Sequence, residues 1–262
     1  MTNKLQEIYE YKKIEVRNRK KILSAQEVCA RIDCNKKPLD FAAALRAKIE
    51  KGQNALICEV KKASPSKGVL CKNFDAVEIA KTYENAGAAC ISVLTDEKYF
   101  QGCDQYLQEI RQHTKIPLLR KDFIFDEYQI YEAKMLGADC ILLIVAMLDD
   151  DMLRNLENIA LEAGLSVLIE IHNEEELSRA LRLKSPLIGI NNRNLKTLQI
   201  DLQTSLNLAP KIPQNRIIIG ESGIKTMQDI TKLNQVGINS FLIGEHFMLQ
   251  KDIKKAVIEL VC

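Results

Sequence analysis

No apolar run in this sequence approaches the roughly 18 residues that a helix needs to cross a bilayer, so a helical membrane protein is excluded. The opening Met1-Thr-Asn-Lys-Leu-Gln-Glu-Ile8 lacks the apolar core of a secretory signal, and a cytoplasmic location is expected. Charge of one sign is missing as well. The 37 Lys and Arg against 35 Asp and Glu leave a net charge of +2, mixed along the chain, with no basic stripe to follow a nucleic-acid backbone. Neither a membrane nor a nucleic acid is expected as a partner. The eight cysteines include no C-x-x-C pair, so reduced thiols are expected rather than disulfides or zinc, with Cys58, Cys90 and Cys140 buried in apolar runs. His113, His172 and His246 fall at no metal-ligand spacing, and the expected chemistry uses neither metal nor cofactor. No Pro/Gly/Ser linker or shift in composition divides the 262 residues. One domain is expected, and an α/β barrel of about 250 residues would use the chain fully.

Short β-rich runs recur at Leu56–Val60, Cys90–Leu94, Pro117–Arg120, Cys140–Val145, Ser166–Ile171, Leu187–Ile190, Arg216–Gly220 and Ser240–Gly244, with segments of helical period between them. Strands as apolar as Cys140-Ile-Leu-Leu-Ile-Val145 suit a parallel sheet covered on both faces. Several units share a glycine before the next strand, in Asn85-Ala-Gly-Ala-Ala-Cys90, Met135-Leu-Gly-Ala-Asp-Cys140 and Asn234-Gln-Val-Gly-Ile-Asn-Ser240, where it fits a helix C-terminal cap. Eight such units predict an α/β fold, the closed (β/α)₈ TIM barrel; a doubly wound open sheet lacks the G-x-G-x-x-G that would support it. About fifty residues precede the first strand. Leu5, Ile8, Tyr9, Lys12 and Val16 share one helical face, and Pro38 is expected to open a second helix stacking Phe41, Leu45 and Ile49. Residues 1–50 therefore read as a helical extension covering the barrel.

Acid-and-base clusters end two of the strands, Glu59-Val-Lys61 and Lys121-Asp-Phe123, where barrel enzymes keep their chemistry. Residues two apart in a strand face the same way, so Glu59 pairs with Lys61, Leu119 with Lys121, Leu168 with Glu170, and Asn191 with Arg193. Polar side chains thus converge from five strands with alternating sign: Glu59, Lys61, Lys121, Glu170, Arg193 and Glu221. Neighbouring opposite charges in a partly desolvated pocket separate pKa values, which a reaction with several proton shifts requires. His172 is expected outside the pocket. Glycines in Gly220-Glu-Ser-Gly-Ile224 and Ile243-Gly-Glu-His246 lie just past strands seven and eight, the usual phosphate pocket of such barrels, although tight turns alone would also use them. The first loop, Lys61-Lys-Ala-Ser-Pro-Ser-Lys-Gly68, has the composition of a lid.

Seven segments, taken in order, carry a resemblance: Glu59-Val-Lys-Lys-Ala-Ser-Pro-Ser66, Lys121-Asp-Phe-Ile124, Leu142-Leu-Ile-Val145, Ile169-Glu-Ile171, Gly189-Ile-Asn-Asn-Arg-Asn-Leu195, Glu221-Ser-Gly-Ile224 and Phe241-Leu-Ile-Gly244. Together the chain resembles the indole-3-glycerol-phosphate synthase family of tryptophan biosynthesis. The resemblance implies a cofactor-free ring closure of 1-(2-carboxyphenylamino)-1-deoxy-D-ribulose 5-phosphate, with loss of carbon dioxide and water. It implies that Lys121 is the general acid, Glu170 the partner in dehydration, Glu59 a second carboxylate, and Lys61 a partner of the substrate carboxylate or an alternative acid. Ser64, Asn191, Arg193 and Glu221 would orient the substrate, while Leu94 and Phe123 would pack on its aromatic ring. Phosphate would rest on Ser222, Gly223, Gly244 and the backbone of Glu245. A serine can occur in the family where this chain has Glu245, and its carboxylate is expected to turn away from a phosphate.

Two other readings compete. A phosphate-binding barrel resembling phosphoribosylanthranilate isomerase needs one acid and one base, but not the lysine pair or the E-x-K-x-x-S-P-S segment. A non-catalytic sugar-phosphate-binding barrel is the second. The chain is expected to be a monomer acting on a phosphorylated small molecule, with transient contacts to other tryptophan-pathway enzymes left open. It is too short to carry a fused isomerase barrel.

Overall fold

The structure is a computed structural model describing residues 3–33, 35–65, 67–71, 73–194 and 197–261. Cys34 and Cys262, and Ser66 of the first loop, lie outside the described residues. Eight strands close into one barrel: β1 (Ala55–Val60), β2 (Cys90–Leu94), β3 (Leu118–Lys121), β4 (Cys140–Ile144), β5 (Ser166–Ile171), β6 (Leu187–Asn191), β7 (Ile217–Glu221) and β8 (Ser240–Ile243). Every neighbouring pair is parallel, and β1 pairs with β8 to complete the ring. The expected TIM barrel is present. The strand ends differ from the expected ones by a residue or so, and Lys121 is the last residue of β3 rather than the first beyond it.

All residues of β1, β2 and β4 are buried, because the barrel interior covers one face and the helices cover the other. Several of the crossover helices are started by a polar side chain. Asp75 caps α4 (Ala76–Asn85), Asp126 closes a capping box on the Glu127–Met135 helix, and Asn173 caps the Glu174–Ala180 helix. Gly87, Gly137 and Gly237 all have positive φ at the helix ends, a left-handed turn that other residues adopt only with strain.

Before the barrel come α1 (Asn3–Ile22), α2 (Ala25–Arg31) and α3 (Phe41–Ile49). Helix α2 is not apparent from the periodicity: seven residues with one buried apolar side chain, Val28, are too few to show it. Pro38 does not open α3, since Asp40 is the N-cap, accepting from the Ala43 N–H at 2.8 Å. On α3, Phe41 and Leu45 are completely buried, and the Phe41 carbonyl lies 3.9 Å from Sγ of Cys90 at the start of β2. Helix α3 therefore plugs the N-terminal mouth of the barrel, and each of those side chains contributes roughly 1.5–3 kcal/mol by burial.

Helix α1 has a different task. Its inward face carries Leu5, Ile8 and Val16, but also Lys12, whose Nζ reaches Asp122 Oδ1 at 2.8 Å, Glu15 at 3.0 Å and Asp96 at 3.3 Å. Asp96 and Asp122 follow the C-terminal ends of β2 and β3, so α1 braces the opposite end of the barrel from α3. Among the described residues, no helix is long and apolar enough to cross a membrane. Cys58, Cys90 and Cys140 are buried and free as expected, whereas Cys29 is exposed and Cys71 and Cys103 are half-buried.

Candidate active site at the C-terminal mouth of the barrel

Parallel register sets the rim. Glu59 lies across from Ser92, Leu94 from Lys121, Ile144 from Glu170, and Asn191 from Glu221, so the polar strand ends arrive at one height. They line one cavity together with Lys61, Phe123, Arg193, Ser222, Gly223, Gly244 and Glu245. Leu94, Phe100, Leu142 and Ile144 add an apolar wall. Of the expected site residues, Ser64 alone does not line this cavity. It belongs to a small antiparallel hairpin, Ala63–Ser64 against Gly68–Val69, in the first βα loop, and its Oγ is buried without a hydrogen-bond partner.

Lys121 is the centre of the cluster. Its Nζ lies 3.3 Å from Glu170 Oε2 and 3.5 Å from Glu221 Oε2. Burial works against its charge, but Glu170, Glu221 and Glu59 outweigh it and hold the ammonium well above the ordinary lysine pKa. Lys121 thus stays charged throughout the working pH range. The two carboxylates beside it diverge. Burial opposes ionisation of Glu170, yet Lys121 and His172 hold it below the usual carboxylate range, while burial and the negative Glu170 push Glu221 above it. Two buried carboxyls with opposite tendencies to ionise therefore share one lysine. On the opposite arc, Lys61 Nζ donates to Glu59 Oε1 at 2.7 Å, and the Tyr83 hydroxyl donates to the Glu59 carbonyl at 3.1 Å.

Two glycines make room for this arrangement. A Cβ on Gly189 of β6 would overlap the Glu221 carboxylate, and one on Gly244 would overlap that of Glu59, with the Glu59 Cβ only 2.9 Å away. Gly244, read from the sequence as a phosphate contact, thus also has a steric reason to be glycine. Gly189→Ala is expected to displace Glu221, lowering kcat about a hundredfold at a stability cost of about 1–3 kcal/mol. Steady-state kinetics beside a thermal melt checks this, and an unchanged kcat would show that the placement of Glu221 is immaterial.

At the far side of the mouth, Ser222 and Gly223 both have positive φ, at 65° and 82°. The short Glu245–Met248 turn begins directly after Gly244. The Glu245 side chain does not turn away as expected. It lines the cavity, 2.9 Å from Lys67 and 3.9 Å from Arg193, because two cations draw it across. Burial opposes its ionisation, but Lys67 holds the carboxyl below its ordinary value.

His172 does not line the cavity, as expected, but it is not remote from the site. Its Nε2 lies 3.4 Å from Glu170 Oε1 and its Nδ1 3.0 Å from Glu176 Oε2. The signal was available in the sequence: two residues beyond Glu170 along the chain is one strand period. Lys12 is the second residue missed as a neighbour of the site. A lysine on an apolar helical face was visible, but its partners were not. Among the described residues, no group of three or more His, Cys, Asp or Glu side chains could hold a metal ion.

Residues 5–260 match the sequence pattern of a family described as indole-3-glycerol phosphate synthase. The chain belongs to the indole-3-glycerol phosphate synthase family. Within it, a protein named indole-3-glycerol phosphate synthase from Polynucleobacter asymbioticus is 49% identical over 265 residues, covering 99% of each chain. A protein of the same name from a Polaromonas species is 52% identical over 221 residues, covering 84% of each. Among solved structures, thiamine phosphate pyrophosphorylase from Pyrococcus furiosus superimposes with a TM-score of 0.62 over 82% of this chain and 95% of its own. At 15% identity that likeness concerns the barrel alone. The family match, by contrast, runs through the sequence of the whole barrel.

Proposed function

We propose that Lys121, held between Glu170 and Glu221, is the general acid of an indole ring closure performed at this mouth. As a member of its family the chain is a carboxy-lyase of tryptophan biosynthesis acting on a phosphorylated small molecule. The substrate is 1-(2-carboxyphenylamino)-1-deoxy-D-ribulose 5-phosphate. As its aromatic carbon attacks the ketone carbon, negative charge develops on the carbonyl oxygen. An ammonium in a water-poor site stabilises that oxygen far better than water does, and it transfers its proton as the alkoxide basicity rises. Loss of carbon dioxide returns electrons to the ring. Dehydration then removes the hydroxyl with one proton and takes another from the substrate. Glu170, held as a carboxylate, is suited to accept a proton, and Glu221, which resists ionisation, is suited to donate a hydrogen bond to a substrate hydroxyl.

Lys61, kept in place by Glu59, meets the substrate carboxylate or serves as a second acid, and Asn191 and Arg193 orient the substrate's polar groups. Leu94 and Phe123 form the wall for its aromatic ring. Ser222, Gly223, Gly244 and the backbone of Glu245 cradle the phosphate at the positive-φ turn and the short helical start. Lys67 and Arg193 can exchange the Glu245 carboxylate for phosphate oxygens. Ser64 approaches the substrate from the first loop. Residues 1–262 act as one barrel domain with residues 1–50 as its extension, working as a cytoplasmic monomer.

The observation that carries this reading is Lys121 at an apolar-walled mouth, 3.3 Å from Glu170 and 3.5 Å from Glu221, with Glu59 also acting on its charge. Mixing the purified chain with the carboxyphenylamino substrate is expected to produce indole fluorescence with stoichiometric release of carbon dioxide. A folded protein that binds phosphate and yields no indole would remove the reading.

A further inference from the structure

Glu170 spreads its two oxygens over two cations. Oε2 faces Lys121 at 3.3 Å, and Oε1 faces His172 Nε2 at 3.4 Å, an ionic contact without an aligned hydrogen bond. The imidazole is fixed from behind. Glu176 Oε2 lies 3.0 Å from Nδ1 and also accepts the His172 backbone N–H at 2.8 Å. Glu176 is itself held by Asn173, whose Nδ2 donates to Oε1 at 2.6 Å and whose Oδ1 accepts the Glu176 N–H at 2.9 Å. The His172 side chain is only 8% exposed. Its ring is thus clamped between two carboxylates in a place with little water.

Among the described residues, Glu170 otherwise has one cation beside it, Lys121, which it shares with Glu221. On the opposite arc, Glu59 pairs with Lys61. An imidazolium at position 172 supplies a third cation. Burial disfavours it, but the carboxylates of Glu170 and Glu176 outweigh burial and push His172 up to about 10. The charged groups acting on it are Glu170 from β5 and Glu176 from the following helix. The Ile144–Leu148 segment after β4 and the strand β6 carry no charged residue, and Arg179 is committed to Asp150 and to the carbonyls of Val145 and Leu148. Those acting on Glu170 are Lys121 and His172, with Glu221 sharing Lys121.

We propose that His172 is a positioning residue: clamped by Glu176, it holds Oε1 of Glu170 so that Oε2 faces Lys121 and the cavity. This rests on the reading of Glu170 as the group that accepts a proton in the ring closure. His172 never touches substrate; it acts through the orientation and charge of Glu170.

The test compares wild type, His172→Gln and Glu176→Gln in the indole assay from pH 3.5 to 9, with His172 protonation followed by nitrogen NMR. Wild type is expected to keep its imidazolium above pH 8. His172→Gln is expected to move the acidic limb of kcat upward by about one pH unit, with KM within about threefold, so that kcat falls up to about tenfold on the limb itself and raising the pH restores the loss. Glu176→Gln shifts the limb in the same direction by less, and serves if the histidine variant does not fold. A limb at the wild-type pH in a folded variant, whatever its kcat, overturns the inference while leaving the proposed activity intact, as does a neutral imidazole at pH 7. Wild-type protein that releases no indole product overturns the activity itself, and this role with it.

Discussion

Lys121→Ala is expected to lower kcat by roughly 10³-fold while changing KM only a few-fold. The ammonium's best interaction forms with an oxygen whose charge exists only in the transition state, so its loss falls on turnover rather than on ground-state binding. The variant also leaves Glu170 and Glu221 without the cation they share at 3.3 and 3.5 Å. One of the two then takes up a proton more readily, since like charges at that distance resist joint ionisation. The pH profile of any residual activity should therefore change shape as well as height. Single-turnover measurements with saturating substrate, beside a circular dichroism spectrum to verify the fold, check both parts. Turnover within a few-fold of wild type would mean that Lys121 is not the acid.

Lys12→Met should be the most destabilising single change in the N-terminal extension. It keeps the side-chain stem and removes the charge, leaving Asp96 and Asp122 buried without their shared cation. Breaking a buried ionic cluster by deleting one partner costs about 3–5 kcal/mol, which for a chain of this size lowers the melting temperature by roughly 6–20 °C. The surrounding network limits repair. Thr95 already donates to Asp122 at 2.6 Å, and Arg120, completely buried, is shared among Glu132, Asp104 and Thr95. Because Asp122 follows Lys121 directly, part of the loss should also appear in kcat. Differential scanning calorimetry decides the matter, and a shift below about 2 °C would show that α1 is not anchored through Lys12.

Much of this was legible in the linear chain. Apolar runs of four to six residues separated by helical period could only become a parallel sheet covered on both faces, and the glycines before the strands marked the helix ends. Counting by two along the strands places Glu59, Lys61, Lys121, Glu170, Asn191 and Arg193 on a common rim, which Glu221 joins from the end of the seventh strand. The seven-residue α2 escaped notice because one buried valine makes no periodic signal. Lys12 was assigned to the core face correctly, but without a reason. The side chain of Glu245 was misjudged because its pull toward Lys67 depends on a loop folding back from the other end of the chain.

What lay in the sequence was therefore every property with a local period: strand, helix, cap, and which face each side chain takes. Those properties follow from backbone geometry and nearest neighbours, and they suffice to put an acid or a base on the rim. Tertiary structure alone decided which of them meet. The register of β5 against β6 and β7, the space left by Gly189 and Gly244, and the approach of α1 to the ends of β2 and β3 arise from packing between distant segments. Since electrostatic coupling falls off within a few ångströms and depends on burial, the same residue type could be held ionised at position 170 and resist ionisation at 221 only once the barrel had closed around one lysine.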